Sequence, residues 1–227
     1  MGRGSQGKVK WQRVRAGQPG ESGMKERLFF PPVYMFIVTT VYGGVLIGLG
    51  TWANPRIEAN RQFAFERAVL ASHGLDQGST AQLHQRFLDR FKEVEQTGFG
   101  TVYVLQEDGQ TTGYAVPFEG RGFWAPIRGV IGFEPDRRTV TGLGFYEQSE
   151  TPGLGAEIVK PYFRNAFDGK VIQSNGRPLR LVPAGQSTAD NEVHAITGAT
   201  QTSTRLEDIL NDAIRRWQAQ DAPETAP

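Results

Sequence analysis

Apolar and polar positions along this chain change their spacing three times, and each change predicts a different element. From Leu28 to Pro55 no residue is charged, and within that run VYMFIVTTVYGGVLIGLGTW (Val33 to Trp52) is 20 residues long. A helix needs about 20 apolar residues to cross the hydrocarbon core of a bilayer. A cleaved signal peptide and a buried core helix are the competing readings, but a signal core usually has roughly 7–15 apolar residues. Pro31 and Pro32 suit a helix start, where no backbone donor is needed. Tyr34 and Trp52 lie near the ends, as interfacial aromatics do. Gly43, Gly44 and Gly48 leave room for a second helix to approach.

Beyond the span, residues 56–70 are mixed and read as helix. AQLHQRFLDRFKEV (81–94) places Leu83, Phe87, Phe91 and Val94 on one helical face. His84 lies off that face and reads as a solvent-exposed residue rather than a ligand. After Phe99 the period becomes that of strands. TVYVLQ alternates, Asp108-Gly109 reads as a hairpin turn into TTGYAVPF, and IRGVIGFE pairs with RTVTGLGFYEQ across PDR. Helical spacing returns in LEDILNDAIRRW, with TRLE (Thr204 to Glu207) as a capping box at its start. The expected fold class is therefore α+β: a mostly antiparallel sheet with packed helices, preceded by one N-terminal transmembrane helix. The expected segments are a basic arm at 1–27 without apolar periodicity, the span at 28–55, and a helical connecting region at 56–97. A sheet domain at 98–218 and a tail at 219–227 follow.

Charge fixes the expected direction of the span. Residues 1–27 carry seven Lys/Arg, whereas Arg56, Arg61 and Arg67 after the span are mixed with Glu58 and Glu66. The positive-inside rule puts the N-terminus in the cytoplasm and the domain outside. The net charge of +1 gives no argument for nucleic acid. With no cysteine the chain makes no disulfide, thiolate metal site or cysteine-ligated iron–sulfur cluster. The three histidines lack the HExxH spacing of a catalytic zinc site, and no metal is expected. Redox work by this chain would need an organic cofactor.

Three glycine-marked stretches stand apart from the scaffold. GRGFWAPIRG (120–129) places Phe123 and Trp124 between glycines, with a lone cation at Arg128. ETPGLG (150–155) follows the strand ending near Tyr146, and its proline and glycines suit an irregular loop with free backbone donors. HAITGAT (194–200) precedes the last helix. Taken singly, each has a plain structural reading: a core aromatic pair, a turn, and a lead-in to a helix.

Taken together, from about Gly98 to Trp217, they resemble the FMN-binding family that includes NqrC and RnfG. These are the covalently flavinylated subunits of the sodium-translocating NADH:quinone oxidoreductase and of the Rnf ferredoxin:NAD oxidoreductase. The resemblance is carried by GFYEQSETPGLGAEI and TGATQTS, roughly forty residues apart. It implies covalent FMN, joined by a phosphoester to the threonine that closes the [S/T]GAT motif, here Thr200. A threonine hydroxyl is a poor nucleophile without activation, so a flavin transferase is implied as well. By the same resemblance Phe123, Trp124, Glu150, Thr151, Gly153 and Leu154 border the flavin ring, and Thr197, Gly198 and Ala199 border the phosphate. A phosphodiester beside a helix N-terminus is favourably placed. Arg128 would either offset charge on reduced flavin or sit in a surface ion pair. The family aspartate three residues before the [S/T] position is replaced by His194.

The resemblance implies an electron-transfer subunit with no catalytic acid or base of its own. It would work beside other membrane subunits of an Rnf- or Nqr-type, ion-translocating complex of the bacterial inner membrane, with the FMN domain on the periplasmic side. A membrane-anchored regulatory flavoprotein, or an exported binding module without flavin, are the alternatives. FYEQSETPGLGAEI leans to the Nqr type, the compact length to the Rnf type.

Overall fold

The computed structural model describes residues 21–96, 99–186 and 188–220, with side chains from Phe30 onward within the first helix. Most of the expected basic arm and of the tail lies outside the described residues. The chain divides into two compact units, meeting between Pro55 and Arg56.

Helix α1 runs Glu21–Ala71. Pro31 and Pro32, expected at its start, lie inside it together with Pro55. Each removes one backbone donor, a loss that membrane helices tolerate. Side chains such as Phe36, Ile37, Val41, Tyr42 and Ile47 are exposed. Among the described residues this is the one helix long and apolar enough to cross a membrane, its most apolar stretch having a mean hydropathy of 1.8. An all-round apolar surface is stable only in apolar surroundings.

The second unit is built on a sheet. Strands β1 (Phe91–Gln96), β2 (Gly100–Glu107), β3 (Gln110–Arg121), β4 (Pro126–Phe133) and β5 (Val140–Glu147) form an antiparallel meander in chain order. Asp108 and Gly109 both have positive φ (51° and 77°), which a two-residue turn matching the strand twist requires. Helix α2 (Thr80–Arg90) ends one residue before β1. The single helix expected over 81–94 is therefore wrong in its last turn. Phe91 and Val94 pair with Leu105 and Val102 of β2, and strand pairing overrides local spacing there. The region 56–97 is likewise more than a connector. It supplies Ala68, Val69 and Leu70 at the end of α1, with Leu83 and Phe91, to one buried cluster on the sheet.

Alternation along β2 and β3 separates the two faces. Leu105 and Ala115 join that first cluster. Val104, Tyr114, Val116 and Phe118 point into a larger one, shared with Leu206, Leu210, Ile214 and Trp217 of helix α4 (Thr200–Gln218). Between β5 and α4 lie a short helix α3 (Pro161–Arg164) and a parallel pair, β6 (Arg180–Val182) with β7 (Glu192–His194). The α+β class with a mostly antiparallel sheet is as expected. The capping box is not: α4 begins at Thr200, so Thr204 and Glu207 lie inside it. Glu207 is buried, accepting from Leu181 N–H at 2.8 Å and pairing with Arg177.

Candidate functional site

The meander sets the β3–β4 turn (Gly122 to Ala125) beside the loop that leaves β5. A buried carboxylate joins them. Glu150 Oε1 accepts from the backbone N–H of Phe123 at 2.8 Å and of Trp124 at 3.1 Å. Its Oε2 accepts from Thr202 Oγ1, on the first turn of α4, at 2.7 Å. Trp124 Nε1 also donates to Thr151 Oγ1 at 3.1 Å. The three glycine-marked stretches thus meet at one place.

On this frame the apolar side chains of the turn and loop stay outside the core. Phe123, Trp124 and Leu154 are 44%, 66% and 43% exposed, and the two aromatic rings meet edge to face at 4.9 Å. Gly198 has φ +79°, which disfavours any side chain, and a β-carbon there would lie 3.2 Å from Leu154 Cδ2. TGAT is therefore small both for its backbone and for its neighbour.

Hydroxyls in TGATQTST divide by burial. Thr202 and Ser203 are buried and engaged, Thr202 with Glu150 and Ser203 Oγ with the Ile196 N–H at 3.2 Å. Thr197, Thr200 and Thr204 are exposed. Thr200 alone among these three opens the helix. The first N–H groups of a helix have no acceptor within it, and no side chain caps α4 at Ala199. Next to it lies a cavity of about 310 Å³ lined by Leu181, Pro183 and Ala184 on one side and Thr197, Gly198, Thr200 and Thr204 on the other. That is within the size range of small-molecule sites. An exposed hydroxyl at an uncapped helix start beside this cavity is a favourable setting for an anionic ligand group.

Of the residues singled out in the sequence, Thr151, Gly153, Leu154, Thr197, Gly198 and Thr200 are exposed around this place, while Ala199 and Glu150 are buried. Arg128 bridges two surface carboxylates, Glu119 at 3.0 Å and Glu147 at 2.7 Å. His194 lies on β7, exposed, with Nε2 2.8 Å from the Gln186 carbonyl. Sequence reasoning missed Thr202, although it stands inside the quoted TGATQTS. It also missed Leu181, Pro183 and Ala184, which no local pattern marks, because only the non-local pairing of β6 with β7 brings them here.

The fold is an α+β domain preceded by an N-terminal apolar helix, with a small-molecule-sized cavity at the start of α4. Residues 122–215 match the FMN-binding domain family model. The chain is 35% identical over 125 residues to the C subunit of the Na(+)-translocating NADH-quinone reductase of Pasteurella multocida, a match covering 54% of this chain and 46% of that protein. Identity to the Haemophilus ducreyi counterpart is 37% over 108 residues, covering 46% and 42%. The matches thus span about half the length of these curated relatives. The crystal structure of the same type of subunit from Parabacteroides distasonis superposes with a TM-score of 0.61 at 27% identity, covering 71% of this chain and 94% of that one. Shewanella oneidensis NqrC shares the fold, with a TM-score of 0.60 at 22% identity, over 69% and 93%.

Proposed function

We propose that this chain is an electron-transfer subunit that carries FMN covalently through a phosphoester on Thr200, within an ion-translocating membrane complex. The relatives, each the C subunit of a Na(+)-translocating NADH-quinone reductase, favour the Nqr type over the Rnf type. One observation carries the reading: Thr200 is exposed at the uncapped start of α4 and lines the cavity. Bound FMN supplies electron uptake and release. The chain's own part is to hold it: the α4 N-terminus neutralises the phosphate, and Phe123, Trp124, Thr151, Gly153 and Leu154 border the ring. Glu150, Thr197, Gly198 and Ala199 shape the two loops behind it. No side chain acts as acid or base, since the reactivity belongs to the cofactor. Attachment needs a flavin transferase as partner, because a threonine hydroxyl is a poor nucleophile without activation. The α1 span anchors the chain, with the N-terminus cytoplasmic and the domain on the periplasmic side of a bacterial inner membrane.

Intact mass of the native chain, co-expressed with an active transferase, tests the attachment. The added mass of an FMN residue, and a fluorescent band on a denaturing gel under ultraviolet light, are expected for the wild type and absent from Thr200→Ala. An unmodified wild-type chain under those conditions sinks the reading in favour of a flavin-free binding module. Co-purification with further membrane subunits separates the relay from a stand-alone regulator. Because the chain has no cysteine, a single Glu93→Cys labelled by a membrane-impermeant maleimide in intact spheroplasts reads the side on which the domain lies.

A further inference from the structure

Glu150 is only 5% exposed, yet it sits at the start of the loop that faces the site. Its two oxygens take three donors from partners 26, 27 and 52 residues away, and Gln148 Oε1 fixes its own N–H at 2.7 Å. We infer that Glu150 is a positioning residue: through Thr202 and the Phe123 and Trp124 amides it sets the aromatic wall against the attachment hydroxyl of Thr200, without touching the flavin. This rests on the flavin reading above.

Two features carry the inference. First, the wall is held by hydrogen bonds rather than by burial, with Glu150 taking both backbone amides of the pair and Thr151 only the Trp124 ring. Phe123 and Trp124 are 44% and 66% exposed, so packing alone does not order the turn. Thr202 follows Thr200 by two positions on the same first helical turn, so any shift of this bond moves the attachment point as well. Secondly, space has been cleared around the carboxylate. A β-carbon at Gly122 would lie 2.5 Å from Glu150 Oε1, and one at Gly155 would lie 2.5 Å from Thr202 Oγ1 and 2.9 Å from Glu150 Oε2. The glycines of GRGFW and of PGLG are thus read as clearance for one shared group. Aspartate, shorter by one methylene, cannot span the same three donors.

The test uses the full chain. In the flavin-free Thr200→Ala background, hydrogen exchange reads the Phe123 and Trp124 amides directly. They exchange slowly if Glu150 clamps them and fast in the added Glu150→Ala. In the transferase-loaded chain, Glu150→Ala keeps its covalent FMN by intact mass but loses the flavin's visible circular dichroism, and flavin fluorescence rises several-fold. Glu150→Gln, which retains Oε1 as acceptor and can donate to Thr202, restores slow exchange and the dichroic band. Thr202→Val, which removes one bond of three, weakens the band. Unchanged exchange and dichroism in Glu150→Ala overturn the proposal. Should Glu150→Ala not fold, Thr202→Val decides it, and an unaltered band there overturns it equally. Absence of flavin on the wild type defeats the proposed function, while the amide exchange still judges the clamp.

Discussion

The two ends of α4 are built on opposite principles. At the C-terminal end Arg137, itself at φ +60°, donates from Nη2 to the carbonyls of Trp217 at 2.7 Å and Gln220 at 2.9 Å. Its guanidinium lies 4.1 Å from the centre of the Trp217 ring, and that ring is fully buried against Phe99, Tyr114 and Phe133. A cation thus meets the negative end of the helix and its orphan carbonyls together. At the N-terminal end there is no side-chain cap, and an exposed threonine stands first. One end is closed by a side chain from another element, whereas the other carries no side-chain cap.

Substitutions should therefore separate stability from flavin loading. The largest effect is expected from Trp217→Ala, which removes the most voluminous fully buried side chain of the core. It costs about 3–5 kcal/mol in urea unfolding of the chain, and any molecules still folded should carry FMN at Thr200. A smaller stability loss in Trp217→Ala than in Leu206→Ala would break the picture of a sealed C-terminal end.

Acid gives the next largest effect, away from both ends. Burial pushes the His73 imidazole down from 6.5 to about 4, against the raising influence of the Val69 and Phe133 backbone. Its ring packs on Phe91 and lies 3.0 Å from Ser72 Oγ. The unfolded chain takes up a proton below about pH 6.5, while the folded chain resists until about pH 4. This contribution to stability is therefore intact above pH 6.5 and is lost as the pH falls towards 4. The loss reaches on the order of 3 kcal/mol. Unfolding curves at about pH 7 and about pH 4.5 measure it, and His73→Leu should flatten that part of the profile.

Arg137→Ala should cost about 1–2 kcal/mol by thermal unfolding, through the lost carbonyl bonds and ring contact. Arg137→Gly should be less harmful by about 1 kcal/mol, because glycine accepts the left-handed backbone. Equal losses would mean that the cap outweighs the strain entirely. The smallest effect belongs to the open end. Thr200→Asp removes the attachment hydroxyl but puts a negative charge on the helix start, raising stability by about 0.5 kcal/mol at low ionic strength and less in high salt. A destabilised Thr200→Asp would show that this end is not waiting for an anion.

Much of this is legible along the chain because it is local. The uncharged run from Leu28 to Pro55, the alternation in TVYVLQ and TTGYAVPF, and the Asp108-Gly109 turn are set by near neighbours. So is the period of α4 through Leu206, Ile209, Leu210 and Ile214. TGAT and ETPGLG, each a plain turn or helix lead-in by itself, stand out only through their joint resemblance to the FMN-binding family. The change from helix to strand at Phe91 is not visible, since the partner that decides it lies on β2.

What the sequence determined by itself was the apolar span and the antiparallel character of the sheet, both properties of short windows with one dominant period. Tertiary structure decided where α4 begins, that β1 completes the sheet, and that Glu150 turns inward to gather three segments rather than outward to the site. Those outcomes depend on hydrogen-bond partners tens of residues away, and a buried acceptor goes wherever the fold supplies its donors.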